Sequence, residues 1–84
     1  MDTRMQVAVT LLTALAETKT GETREGIAYA GLMGICRLDE FQEAVGALVG
    51  AGYLRRGTQF LLVITAEGRE AAARIEAKLA GGVK

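Results

Sequence analysis

The stretch LDEFQEAVGALVGAGYLRR, residues 38–56, followed by FLLVITAEGREAAARI, residues 60–75, decides the fold. Its first half carries apolar side chains at steps of four, three and one residues, which is the spacing of one buried helix face. Those side chains are Phe41, Val45, Leu48 and Val49. Asp39 and Gln42 have the spacing of a capping box, and Gly52 is a typical helix end with Tyr53 as the packing residue after it. We therefore predict a helix over residues 39–51.

Two extended runs follow this helix. Residues 53–56 and 59–65 flank Gly57 and Thr58, and the second run is rich in aromatic and β-branched residues, which predicts a β-hairpin. Alternation along the second strand places one set of side chains on the core, namely Phe60, Leu62 and Ile64, and turns Leu61 and Val63 away. Thr65 then caps a last helix over residues 66–80, which Gly81 and Gly82 stop.

The first third of the chain predicts two more helices. Residues 3–18 have helical spacing, and Thr23 is a candidate cap for a helix over residues 23–33. We expect this second helix to bury Ile27, Ala30 and either Leu32 or Met33. Gly31 indicates close packing against a neighbour, and Gly34 a left-handed end. The prediction is a single domain over residues 1–84, mainly α with a small β-hairpin (α+β), in the order helix, helix, helix, hairpin, helix.

Composition excludes several function classes. Ten basic residues balance ten acidic ones, so any attraction to nucleic acid must come from a local patch. The chain has no His and no Ser, and Cys36 is its only cysteine, which we interpret as a small buried thiol. We therefore expect no enzyme, no metal and no cofactor. A single cysteine fits a reducing cytoplasm, and no apolar run is long enough to span a membrane.

The segments AGYLRR, residues 51–56, and VITAEGRE, residues 63–70, resemble recurring segments of winged helix-turn-helix domains of the MarR/PadR kind. The resemblance covers about residues 7–75. It implies that the third helix enters the major groove of double-stranded DNA, that the hairpin is a wing touching the backbone or minor groove, and that the protein is a transcriptional regulator. It also implies a homodimer formed through the terminal helices.

Mapped on this chain, the resemblance assigns candidate nucleic-acid contacts. Arg55 and Arg56 lie on the wing beside Thr58 and Gln59, and they are the principal candidates. Further candidates lie near the second and third helices, namely Arg37, Gln42, Arg24 and Lys19. The alternative is that these side chains are scattered solvated charges that balance nearby acids.

The third helix departs from the family pattern because its exposed face carries three acids and no base. These acids, Asp39, Glu40 and Glu43, repel phosphate, although acids in a first turn also stabilise a helix by themselves. The alternative function is a protein-interaction module, for instance a small phage or mobile-element inhibitor, that docks this acidic face on a basic protein or nucleoprotein surface. Leu61 and Val63 are then either covered within the monomer or part of a subunit interface.

Overall fold

The structure, a computed structural model, describes residues 3–82. It is mainly α-helical with a small antiparallel sheet, which confirms the predicted α+β class and is compatible with a winged-helix-like fold. The elements are, in order, α1 (Thr3–Glu17), β1 (Glu22–Arg24), α2 (Glu25–Leu32), α3 (Leu38–Gly50), β2 (Leu54–Arg56), a 3-10 turn (Thr58–Phe60), β3 (Leu61–Ile64) and α4 (Ala66–Gly82).

The sheet contains a strand that sequence analysis missed. Its three strands lie in the order β1-β3-β2, and both outer strands run antiparallel to β3. Thr23 was expected to cap α2 but lies inside β1, opposite Leu62. The residue at the helix cap is Arg24, which makes no side-chain capping bond. Three polar residues are too few to show strand alternation, and this is why the sequence pattern did not reveal β1.

The core lies where α1 packs on α3 and α4, with the inner face of the sheet against it. One face of α1 buries Val7, Leu11, Leu12 and Leu15, and α3 buries Phe41, Ala44, Val45 and Leu48. Leu62 and Ile64 of β3 and Leu54 of β2 close the core from the sheet side. The predicted stripe of α3 is thus confirmed, except that Val49 is only half-buried.

The two ends of α3 differ in how well the sequence predicted them. At the start, the helix cap is Arg37, whose backbone N–H donates to Glu40 Oε1 over 2.9 Å, so the predicted pair of Asp39 and Gln42 is wrong. At the end, Gly52 follows the helix as predicted and has a left-handed φ of 86°. The N–H groups of Gly52 and Tyr53 donate to the carbonyls of Val49 and Leu48, which forms a Schellman motif.

The second helix presents a different face to the core from the predicted one. Ile27, Ala30 and Met33 are exposed, and only Leu32 of the expected residues is buried. The helix packs instead through Ala28, Tyr29 and Leu32, which lie one and three residues apart. α2 is apolar almost all round, so hydrophobic spacing does not select its buried face.

Two glycine predictions for this region are also wrong. No neighbouring atom lies within 4 Å of the position that a Cβ on Gly31 would occupy, so this residue does not permit a close approach. Gly34 is absent from the described residues with positive φ, and the α2 cap is Met33 in a right-handed conformation. The helix therefore ends without a left-handed residue.

The connection between β2 and β3 is wider than the predicted Gly57-Thr58 turn. Gln59 and Phe60, both assigned to the second strand, are instead in the left-handed region with φ of 56° and 60°. The Phe60 side chain is 79% exposed, so its predicted core position is wrong, whereas Leu62 and Ile64 are buried as expected. The Gly57 N–H donates to the Leu61 carbonyl over 2.8 Å and closes the connection.

The last helix begins as predicted and runs further than predicted. Thr65 Oγ1 accepts a hydrogen bond from the Gly68 N–H over 3.0 Å, which confirms Thr65 as the cap. The helix includes Gly81 and Gly82, which were expected to stop it. None of the helices in residues 3–82 combines the length and the apolar character needed to cross a membrane.

Gly68 allows the first turn of α4 to pack directly on the chain that follows α3. A Cβ at this position would collide with the Tyr53 carbonyl oxygen and lie 2.8 Å from Ile64 Cγ1. We expect Gly68→Ala to lower the free energy of unfolding by about 1–3 kcal/mol. The matched control is Gly46→Ala in α3, where a Cβ meets nothing within 4 Å; it is expected to raise stability by up to about 1 kcal/mol. Urea unfolding followed by circular dichroism measures both, and equal effects would contradict the packing role of Gly68.

Candidate functional site

The two wing arginines point to different sides of the sheet. Arg55 is exposed opposite Val63 on the outer face, whereas Arg56 lies opposite Leu62. Arg56 Nη1 is 3.2 Å from Glu25 Oε2, and the Glu25 side chain is only 17% exposed. The two arginines, predicted to contact nucleic acid together, therefore differ in their surroundings. Arg56 already neutralises an acid at the start of α2.

The other cations predicted to contact nucleic acid also differ in whether they are paired with an acid. Arg37 Nη2 lies 3.4 Å from Asp39 Oδ2. This hydrogen bond raises the pKa of Arg37 and lowers the pKa of Asp39 from its ordinary value. Lys19, Arg24 and Arg55 are exposed, and within the part of the chain that the structure describes they form no ion pair.

The acids of α3 each have a partner inside the protein. Asp39 is held by Arg37, and the Glu40 carboxylate accepts the Arg37 N–H. Glu43 Oε2 lies 2.9 Å from Arg4 Nε of α1. Two of the three carboxylates of this face thus have a cation within ion-pair distance, and the third accepts a backbone N–H.

An apolar hollow lies beside these charges, between the start of α2, the start of α3 and the β2–β3 connection. Its volume is about 570 Å³. The aromatic rings of Tyr29 and Phe41 lie 5.3 Å apart and line it. Its exposed apolar residues are Ile27, Leu38 and Phe60, which are 66%, 50% and 79% exposed. We call this feature the Phe60 hollow; its remaining lining residues are Arg24, Glu25, Gly26 and Gln59.

The structure brings only two of the predicted nucleic-acid contacts, Arg24 and Gln59, to the Phe60 hollow. Thr58 is exposed in the same connection, and Gln42 is exposed on α3. Leu61 and Val63 are half-buried on the outer face of the sheet, which leaves both interpretations of that pair open. No clear sequence signal identifies Phe60 as a site residue. Left-handed positions are usually recognised in a sequence by Gly or Asn, and this one is occupied by Phe.

Cys36 lies outside the hollow and is buried, 7% exposed, as predicted. Its thiol donates to the Leu32 carbonyl over 3.4 Å. Burial raises the pKa of this thiol, and the carboxylates of Glu40 and Asp39 add to the shift. The group is therefore held in the neutral form. Within residues 3–82, no cluster of three or more potential metal ligands occurs.

Comparison with protein-family models, curated proteins and solved structures finds no match to this chain. The assignment of a function therefore depends on the geometry of the surfaces described above.

Phe60 holds a costly backbone conformation without burying its ring. A bulky residue in the left-handed region costs about 1–3 kcal/mol, and glycine avoids most of that cost. We expect Phe60→Gly to leave the free energy of unfolding unchanged or to raise it by up to about 1 kcal/mol, because the gain is partly offset by the entropy of glycine.

The control for this variant is Leu62→Ala in the adjoining strand, where the side chain is fully buried. That substitution is expected to cost about 2–5 kcal/mol. Chemical denaturation measures both variants. A Phe60→Gly protein that is less stable by more than about 1 kcal/mol would contradict the view that the ring is not needed for folding.

Proposed function

We propose that the chain is a small protein-interaction module with a winged-helix arrangement, and that it binds a partner protein through the Phe60 hollow. The order helix, strand, helix, helix, strand, strand, helix supports the winged-helix part of this proposal. So does the sheet order β1-β3-β2, in which the wing strand β3 lies between the strand before α2 and the strand after α3.

The observation that carries the proposal is the exposed Phe60 ring beside an aromatic-lined hollow. Aromatic side chains dominate the energetics of protein interfaces, and anchors of this kind cluster at desolvated pockets. Backbone strain at an exposed aromatic residue supports a role outside folding. Together with Ile27 and Leu38, the ring forms an apolar surface of the kind that marks an interaction site.

The pattern of charges favours a protein over nucleic acid as the ligand of this surface. Arg37 and Arg56 are engaged with acids of the same chain, and α3 offers no base toward a phosphate backbone. The compensation of Asp39 and Glu43 likewise weakens docking of α3 on a basic partner. Apolar contact is the main interaction that the hollow offers, because Ile27, Leu38 and Phe60 are exposed there.

A site-specific photo-crosslinker tests the proposal. Benzoylphenylalanine placed at position 60, in cells of the source organism, is expected to capture a protein that the same group placed at exposed Glu70 of α4 does not capture. The captured protein is then purified for direct titration. A position-60 pattern identical to that at position 70 would contradict the proposal.

Titration of the purified partner measures how much the ring contributes. Phe60→Ala is expected to weaken binding by about 30-fold or more, the range of interface hot spots. Gly26→Leu is expected to weaken it as well, because a Cβ there meets nothing within 4 Å and the side chain would fill the hollow. The matched control is Met5→Ala, an exposed apolar residue of α1 that does not line the hollow. Wild-type affinity in Phe60→Ala would refute the role of the ring.

Double-stranded DNA is the second candidate ligand. It is favoured by Arg24 and Arg55, whose exposed side chains share the outer face of the sheet and form no ion pair within the described chain. The two cations lie on either side of Leu61 and Val63, where they are able to contact phosphates.

Fluorescence anisotropy of a random-sequence duplex distinguishes this candidate from the first. Binding through two cations is expected to show a log–log salt slope of about −2, and to be lost in a variant carrying Arg24→Ala and Arg55→Ala. The control carries Arg74→Ala and Lys78→Ala in α4. Absence of binding up to about 100 µM protein at low salt excludes this candidate and leaves the first.

A further inference from the structure

Within residues 3–82, the outer edge of β1 is not paired with another strand. β1 is the first strand in the order β1-β3-β2, so only its inner edge is hydrogen-bonded to β3. The Ile64 N–H donates to the Gly21 carbonyl over 2.8 Å. Because hydrogen-bonded and non-hydrogen-bonded pairs alternate along antiparallel strands, this bond determines which residues of β1 direct their backbone N–H groups toward β3. It follows that the backbone of Thr23 faces β3, whereas the N–H groups of Glu22 and Arg24 face the open edge.

The end residues of β1 are exposed, and its middle residue lines a hollow. A hollow of about 260 Å³ between α1 and α2 is lined in part by Thr23. Glu22 and Arg24 are both exposed. Solvent therefore reaches both residues whose N–H groups face the open edge.

We propose that β1 pairs antiparallel with β1 of a second copy of this chain, around a two-fold axis at Thr23. The sequence Glu-Thr-Arg is complementary in charge to itself in this arrangement. Glu22 lies opposite the partner's Arg24, and Arg24 lies opposite the partner's Glu22, so that two cross-strand ion pairs form. Each Arg24 N–H then donates to the carbonyl of the partner's Glu22.

The other edge of the sheet lacks this property. β2 has the sequence Leu-Arg-Arg, and antiparallel pairing with a second copy around its middle residue sets Arg55 directly opposite the partner's Arg55 and forms no ion pair. Like charges in that position are destabilising. Charge therefore selects the β1 edge, and the sheet continues across the two copies as β2-β3-β1-β1-β3-β2.

The pairing is short, and this determines its strength. Three residues bury far less than the ~800 Å² per partner of a standard interface, and the Arg24 carbonyl is already the first acceptor of α2. The dimer is therefore weak and reversible. Arg24 also lines the Phe60 hollow, whereas Glu22 does not, and the pairing uses the backbone and charge of these two residues rather than the Phe60 ring.

Charge reversal with rescue tests this pairing. Sedimentation of the full chain from about 20 µM to 1 mM is expected to show reversible dimerisation. Glu22→Arg and Arg24→Glu, each alone, place like charges opposite each other and are expected to raise the dissociation constant about 10-fold or more. The protein with both substitutions restores complementary pairs and is expected to return to within about 3-fold of the original value.

Two controls separate this edge from other surfaces. Arg55→Glu on β2 changes charge by the same amount and is expected to leave dimerisation unchanged, as is Phe60→Ala. A wild-type chain that stays monomeric at the highest concentration would overturn the proposal. So would a dimer that both single reversals leave intact, that the double reversal does not rescue, or that Phe60→Ala abolishes.

Discussion

The hydroxyl of Thr65 joins three parts of the chain. It accepts the Gly68 N–H at the start of α4 and donates to the Gly52 carbonyl over 2.6 Å, while the Thr65 N–H donates to the Tyr53 carbonyl over 3.0 Å. The left-handed Gly52 brings the end of α3 to this junction, and the missing side chain of Gly68 lets α4 approach it. These contacts connect the end of α3, the end of β3 and the start of α4.

The residues of this junction are among those that the sequence predicted correctly. Gly52 and Thr65 are residues whose local chemistry determines the backbone around them, so the end of α3 and the start of α4 were predictable. The buried stripe of α3 was predictable as well, because its polar residues leave a single apolar face. β1 and the buried face of α2 depend on tertiary contacts: three polar residues become a strand only because β3 lies beside them.

The candidate site was less predictable than the fold, for a related reason. The sequence shows how many charges there are but not which ones meet. Arg56 and Glu25 are 31 residues apart, and Arg4 reaches Glu43 from another helix. These contacts neutralise Arg56 of the wing and pair Glu43 of α3 with a cation, while Arg55 forms no ion pair within the described chain. The most distinctive feature near the starts of α2 and α3 is therefore the apolar Phe60 hollow. Strand alternation had assigned its phenylalanine to the core.

The pairing of β1 with β3 has a consequence for the order in which the protein folds. The paired residues are separated by about forty positions, whereas β2 and β3 are joined by a short connection directly after α3. Closing the larger loop costs more chain entropy, and contacts of this kind form late in folding. The α3–β2–β3 segment is therefore the natural nucleus, and β1 is the last strand to add. While β1 is unpaired, the edge of β3 that it covers is exposed, so this is the stage of folding at which we expect pairing between chains.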